Sequence, residues 1–172
     1  SEDFAVRINL VRRPSLEIDS DLVVAEGPLE ISVDGQSFAL TMRTPGHDLE
    51  LVSGFLYCEG CIEESEDIAA IEIVGENSVD VRFATGISIE NERFLSAQRS
   101  RYASSACGVC SRATIDQLMD RIEPLAPIDL ILSDVLQSLP ERMRPAQKAF
   151  AETGGIHAAA LFDTEGNFIV LR

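Results

Sequence analysis

Cys107-Gly108-Val109-Cys110 is the part of this sequence best suited to chemistry. Two thiols separated by two residues can bind a soft metal, cycle with a disulfide or carry sulfur between molecules. Gly108 allows a tight backbone turn, and a helix-like run begins near Ser111. A thiol close to a helix start meets amide N–H groups with no intrahelical partner, which favour the nucleophilic thiolate. Arg93, Arg99, Arg101 and Arg112 flank the pair in a chain whose net charge is -15, so the thiols lie in its one basic stretch. The plainer alternative is a solvated arginine face around two small buried cysteines.

The elements around the pair read as mixed α and β. Val6, Ile8 and Leu10 alternate with polar residues, and Leu29, Ile31 and Val33 lead through Asp34-Gly35 to Phe38, Leu40 and Met42, a hairpin with its turn dipeptide. Thr44-Pro45-Gly46-His47 is a turn, and from Asp48 the residues Leu51, Val52, Phe55 and Leu56 recur at helical spacing until Gly60. Ala70–Val74 and Val79–Phe83 predict a second hairpin. Residues 95–107 have little periodicity and form a connection ending at the cysteine pair. Beyond it, Ile115, Leu118, Met119 and Ile122 make a helical stripe closed by Pro124, Ile131, Val135 and Leu136 make another closed by Pro140, and Glu141–Phe150 predicts a third helix. After Gly154-Gly155, Ile156–Phe162 reads as a buried strand that turns through Thr164-Glu165-Gly166-Asn167 into Phe168–Leu171. The predicted organisation is a β-rich part with one helix over residues 1–95, then a cysteine loop with helices on a sheet over 96–172.

Composition narrows the functional class. The 172 residues can bury a core without disulfide staples, and no apolar run approaches the roughly 20 residues needed to span a membrane. With 29 acidic against 14 basic residues, general nucleic-acid binding is not expected, because phosphate neutralisation supplies most non-specific affinity. No basic stretch followed by an apolar run opens the sequence, so no secretory signal is expected, and four cysteines then suit a reducing, cytoplasmic setting.

Other constellations in the sequence compete with the first. Cys58-Glu59-Gly60-Cys61 is a second C-x-x-C, but a whole predicted hairpin and loop separate it from the first, unlike the roughly 15–20 residues between zinc knuckles. Cys58 shares a helical face with Leu51 and Phe55 and is expected to be a buried helix-end residue, while Cys61, past the helix stop, is expected to be exposed. A thioredoxin-like site would follow a strand, not an irregular serine-rich loop. Zinc deamination requires an H-x-E before its C-x-x-C, whereas His157 follows the pair and precedes Ala158-Ala159. His47 is expected only to organise the helix entrance. A zinc-binding module using both cysteine pairs, and a dithiol oxidoreductase, stay open as alternatives to sulfur transfer.

Three segments in order, Met42-Arg43-Thr44-Pro45-Gly46-His47-Asp48-Leu49-Glu50, Cys107-Gly108-Val109-Cys110 and Thr153-Gly154-Gly155-Ile156-His157-Ala158-Ala159-Ala160, make the chain resemble FdhD-type formate dehydrogenase accessory proteins over nearly its whole length. The resemblance implies a sulfurtransferase that takes sulfane sulfur from a cysteine desulfurase and delivers it to the molybdenum cofactor, bis-molybdopterin guanine dinucleotide, of formate dehydrogenase. It implies that Cys107 holds the persulfide and Cys110 relays or releases the sulfur, with no bound metal. It also implies an α/β (α+β) fold of three layers like that of cytidine deaminases, and a homodimer. Docking of the recipient cofactor is implied too, and its pyrophosphate calls for positive charge or amide N–H groups, so Gly154, Gly155 and His157 are candidate contacts. For the two glycines a helix-to-strand turn is the simpler reading, and for His157 a hydrogen-bonded packing role. Two departures follow from the same resemblance. Family members carry other residues at Cys58 and Cys61, and they continue into a further cofactor-binding segment, so a fragment lacking it is expected here.

Overall fold

The computed structural model describes residues 4–12, 14–87 and 131–172. They fall into two compact units, one taking in the described parts of Glu26–Glu123 and the other those of Ser1–Ala25 and Pro124–Arg172. The expected boundary near residue 95 and the stripe from Ile115 to Ile122 lie outside the described residues. The described elements are a mixture of helices and sheets, as the α/β reading requires. No helix among them is long and apolar enough to cross a membrane.

The first unit is a four-stranded sheet with one helix. Strands β3 (Gly27–Val33) and β4 (Gln36–Arg43) form the expected hairpin around Asp34-Gly35. Both turn residues have positive φ, 49° and 74°, the conformation that matches a two-residue turn to the twist of its strands. Helix α1 (Asp48–Cys58) follows, then β5 (Ile68–Gly75) and β6 (Ser78–Phe83). The sheet order is β4-β3-β6-β5, with β3 and β6 parallel and in register at Ile31 with Val79 and Val33 with Val81. A parallel pair needs a crossover, and β4, α1 and β5 supply it. Alternation along the two central strands puts Leu29, Ile31, Val33, Val79 and Val81 on one face, all with 0% exposure, where Phe38 of β4 joins them. Val52 and Leu56, one helical turn apart on α1, complete this core, and Phe38 meets Phe55 edge to face at 6.2 Å. Each such side chain contributes about 1.5–3 kcal/mol on burial, so this apolar layer dominates the stability of the unit.

In the second unit, β1 (Ala5–Arg12) pairs antiparallel with β2 (Glu17–Val24). The remaining elements are α2 (Ser133–Met143), a short 3-10 turn at Arg144–Ala146, α3 (Lys148–Thr153), and an antiparallel pair of β7 (Ala160–Phe162) with β8 (Phe168–Leu171). Helix α3 lies against β2, and α2 against β8.

Three expectations change here. Pro140 does not end the second stripe but lies inside α2. Its ring forfeits one helical hydrogen bond, and Arg142, two residues on, fixes the last turn by donating from Nη1 to the carbonyls of Glu165 and Gly166 at 3.1 and 2.5 Å. The single helix expected over Glu141–Phe150 is divided, because Pro145 falls in the 3-10 turn and α3 starts at Lys148. The buried strand expected from Ile156 starts only at Ala160, and Leu161 is 63% exposed; among the described residues β7 pairs with β8 alone, through three residue pairs.

The β7–β8 turn is tightly made. The Asp163 carboxylate accepts the backbone N–H groups of Glu165 and Asn167 at 3.0 and 2.7 Å and the Asn167 side-chain amide at 2.8 Å. These donors, the Asn167 side chain foremost, hold its pKa below the usual 3.8. Gly166 has φ 79°, and a Cβ there would stand 2.6 Å from Arg142 Nη1 and 2.9 Å from Val135 Cγ1.

Two outcomes are expected from urea unfolding. Gly166→Ala should cost about 1–3 kcal/mol through overpacking and left-handed strain, and an unchanged midpoint would contradict the crowding described. A carboxyl group whose folded pKa is depressed stabilises the fold above its unfolded pKa and loses that contribution as pH falls through the folded value. The advantage of the native chain over Asp163→Asn should therefore be full above the ordinary value of 3.8 and shrink as pH falls below it.

Candidate functional site

Cys107 and Cys110 lie outside the described residues. The other two motif segments are described, one in each unit, and so is the second cysteine pair.

Met42–Glu50 links the end of β4 to the start of α1. Arg43, the last residue of β4, is the one buried charged side chain among the described residues. Its Nε donates to Asp48 Oδ1 at 2.9 Å and its Nη2 to Asp48 Oδ2 at 3.1 Å, a two-pronged pair, and Nη2 also reaches the Glu76 carbonyl at 3.3 Å. Three elements thus meet at one guanidinium: β4, the first residue of α1 and the turn between β5 and β6. Gly27 faces Arg43 across the β3–β4 ladder, and a Cβ there would come within 3.1 Å of Nη1, so the glycine makes room for the cation. Asp48 also lies in the first turn of α1, where a negative charge suits the helix dipole.

Between the two partners runs Thr44–His47, with Gly46 at φ 129°. His47 precedes the helix without capping it through its side chain. Its carbonyl accepts the Leu51 N–H at 3.0 Å, and its exposed ring lies 3.5 Å from Glu50 Oε1. The expected organising role therefore falls to the His47 backbone and to Asp48. Within the Met42–Glu50 segment, neither Arg43 nor Asp48 stands out in the sequence as an ion-pair partner. The available signal was an arginine ending an apolar strand five residues before an aspartate, across a Pro-Gly turn.

In Thr153–Ala160, Gly154 ends α3 in the left-handed conformation, φ 67°, and its N–H donates to the Phe150 carbonyl at 2.7 Å. The Gly155 N–H points to Thr153 Oγ1 at 3.4 Å. Both amides serve the helix end, as the helix-to-strand reading held. His157 is exposed, ahead of β7. The packing role expected of it is not what its exposure shows.

The second cysteine pair reverses its expected burial. Cys58 is exposed and Cys61 half-buried. The fully buried line of α1 runs through Val52 and Leu56, not through Leu51 and Phe55, and Cys58 lies about 200° around the helix from Leu56. After it, Gly60 (φ 68°) reverses the chain, with Gly60 N–H bonded to the Tyr57 carbonyl at 2.9 Å and Cys61 N–H to the Leu56 carbonyl at 2.8 Å. That paired arrangement carries the residue after the glycine back toward Leu56, so Cys61 packs on the core. The two cysteines thus lie on different sides of the helix end. Just beyond, Asp67 Oδ2 accepts the N–H groups of Glu63 and Glu64 at 2.7 and 3.1 Å, which lowers its pKa and closes the acidic loop. Among the described residues no group of three or more His, Cys, Asp or Glu side chains could hold a metal ion.

A model of the FdhD/NarQ family matches residues 24–172, which include all three motif segments. The chain belongs to the FdhD/NarQ family. A sulfur carrier protein FdhD of Streptomyces avermitilis is 38% identical over 175 residues, an alignment covering 94% of this chain and 61% of the relative. One from Anaeromyxobacter dehalogenans is 42% identical over 153 residues, covering 85% and 53%. The chain therefore spans between 53% and 61% of the length of these two FdhD relatives. The crystal structure of a candidate formate dehydrogenase accessory protein from Desulfotalea psychrophila superposes with a TM-score of 0.69 at 19% identity, over 98% of this chain and 62% of that one. At that identity the likeness establishes a shared fold.

The Arg43–Asp48 pair generates a test. The Arg43 and Asp48 side chains are only 3% and 15% exposed. Arg43→Met leaves a carboxylate without its cation and should cost roughly 3–5 kcal/mol in urea unfolding. Arg43→Met combined with Asp48→Leu should recover a large part of that loss. A loss in the combination equal to the sum of the losses in Arg43→Met and Asp48→Leu alone would show that the pair is not coupled.

Proposed function

We propose that this chain is the sulfur-carrying part of an FdhD-type sulfurtransferase, with Cys107 as the acceptor and Cys110 as the thiol that releases the cargo. The observation that carries this reading is the family match across 24–172, with Cys107-Gly108-Val109-Cys110 inside it. Two relatives named sulfur carrier proteins support it, as does the arginine-flanked setting of the thiols, which favours the attacking thiolate.

In the loading step the Cys107 thiolate attacks the terminal sulfur of a persulfide on a cysteine desulfurase. The donor's sulfur–sulfur bond breaks, a new one forms on Cys107, and the donor cysteine leaves as a thiolate, so no outside oxidant is consumed. In the release step, which begins when the recipient docks, the Cys110 thiolate attacks Cys107 Sγ. The terminal sulfur departs as hydrosulfide, the thiol pair is oxidised by two electrons to a disulfide, and a cellular dithiol restores it. The hydrosulfide is delivered to the molybdenum cofactor, bis-molybdopterin guanine dinucleotide, destined for formate dehydrogenase, which is substrate to this protein and not a resident group. Of the three candidate contacts for that cofactor, His157 is the one with an exposed side chain for a phosphate, beside the backbone of Gly154 and Gly155. A cytoplasmic homodimer completes the reading.

Incubation of the chain with a cysteine desulfurase and cysteine, followed by peptide mass spectrometry, tests it. One additional, reducible sulfur atom should appear on the peptide holding Cys107 and Cys110, vanish in Cys107→Ala and persist in Cys110→Ala. Undiminished labelling in both variants would remove the pair from the mechanism.

A further inference from the structure

We draw no further inference here: the strongest candidate, the apolar tip of the β1–β2 hairpin where Val11, Leu16 and Ile18 stand exposed, carries nothing because nothing in the structure shows what covers it.

Discussion

A guanidinium taken out of water must find a carboxylate, and the unit built on β3–β6 is arranged around that requirement. Arg43 is satisfied only when the end of β4, the first residue of α1 and the β5–β6 turn are all in place. A buried ion pair of this kind adds little net stability, since desolvation offsets much of the attraction, while its loss on one side is costly. The eight side chains with under 2% exposure in the apolar layer supply the stability. The pair instead fixes where the chain leaves the sheet and enters the helix, and so it ties together the two ends of the Thr44–His47 turn. Gly27 belongs to the same device, because a side chain there would press on the cation it faces.

Much of this unit was legible in the sequence. The β3–β4 hairpin followed from Asp34-Gly35 between alternating apolar residues, α1 from Val52, Phe55 and Leu56, and the β5–β6 hairpin from two β-branched runs. What escaped was set by partners distant in the chain. Strand β2 reads Glu-Ile-Asp-Ser-Asp-Leu-Val-Val, too polar to announce itself, and it exists through its ladder with β1. Pro140 reads as a stop because its local cost is large, but the helix continues past it, with Arg142 reaching a turn more than twenty residues on. Cys58 is exposed because the buried line of α1 lies one residue from Leu51 and Phe55, a rotation of about 100°, and Cys61 packs on the core because the Gly60 reversal turns it back toward Leu56.

The candidate site divides along the same line. Cys107 and Cys110 lie outside the described residues, and their spacing and neighbouring charge favour a reactive thiolate without choosing among metal binding, disulfide exchange and sulfur transfer. The family was legible from three short segments read together, and a family model matching 24–172 agrees with that reading. The physical function of the flanking segments was not legible. Met42–Glu50 holds a buried ion pair, and Thr153–Ala160 opens with a left-handed helix stop. In both, the residues that look chemical, His47 and His157, are exposed beside backbone geometry fixed by their neighbours.

A carrier must give as well as take, and a single-turnover chase tests that most directly. Protein loaded with radioactive sulfur on Cys107 and freed of donor is mixed with formate dehydrogenase and its unsulfurated molybdenum cofactor, and the label on each partner is followed. The account predicts that the label leaves the native chain for the cofactor only when the recipient is present, and that Cys110→Ala retains it. Label that stays on the native chain, or leaves it at the same rate without a recipient, would contradict the account.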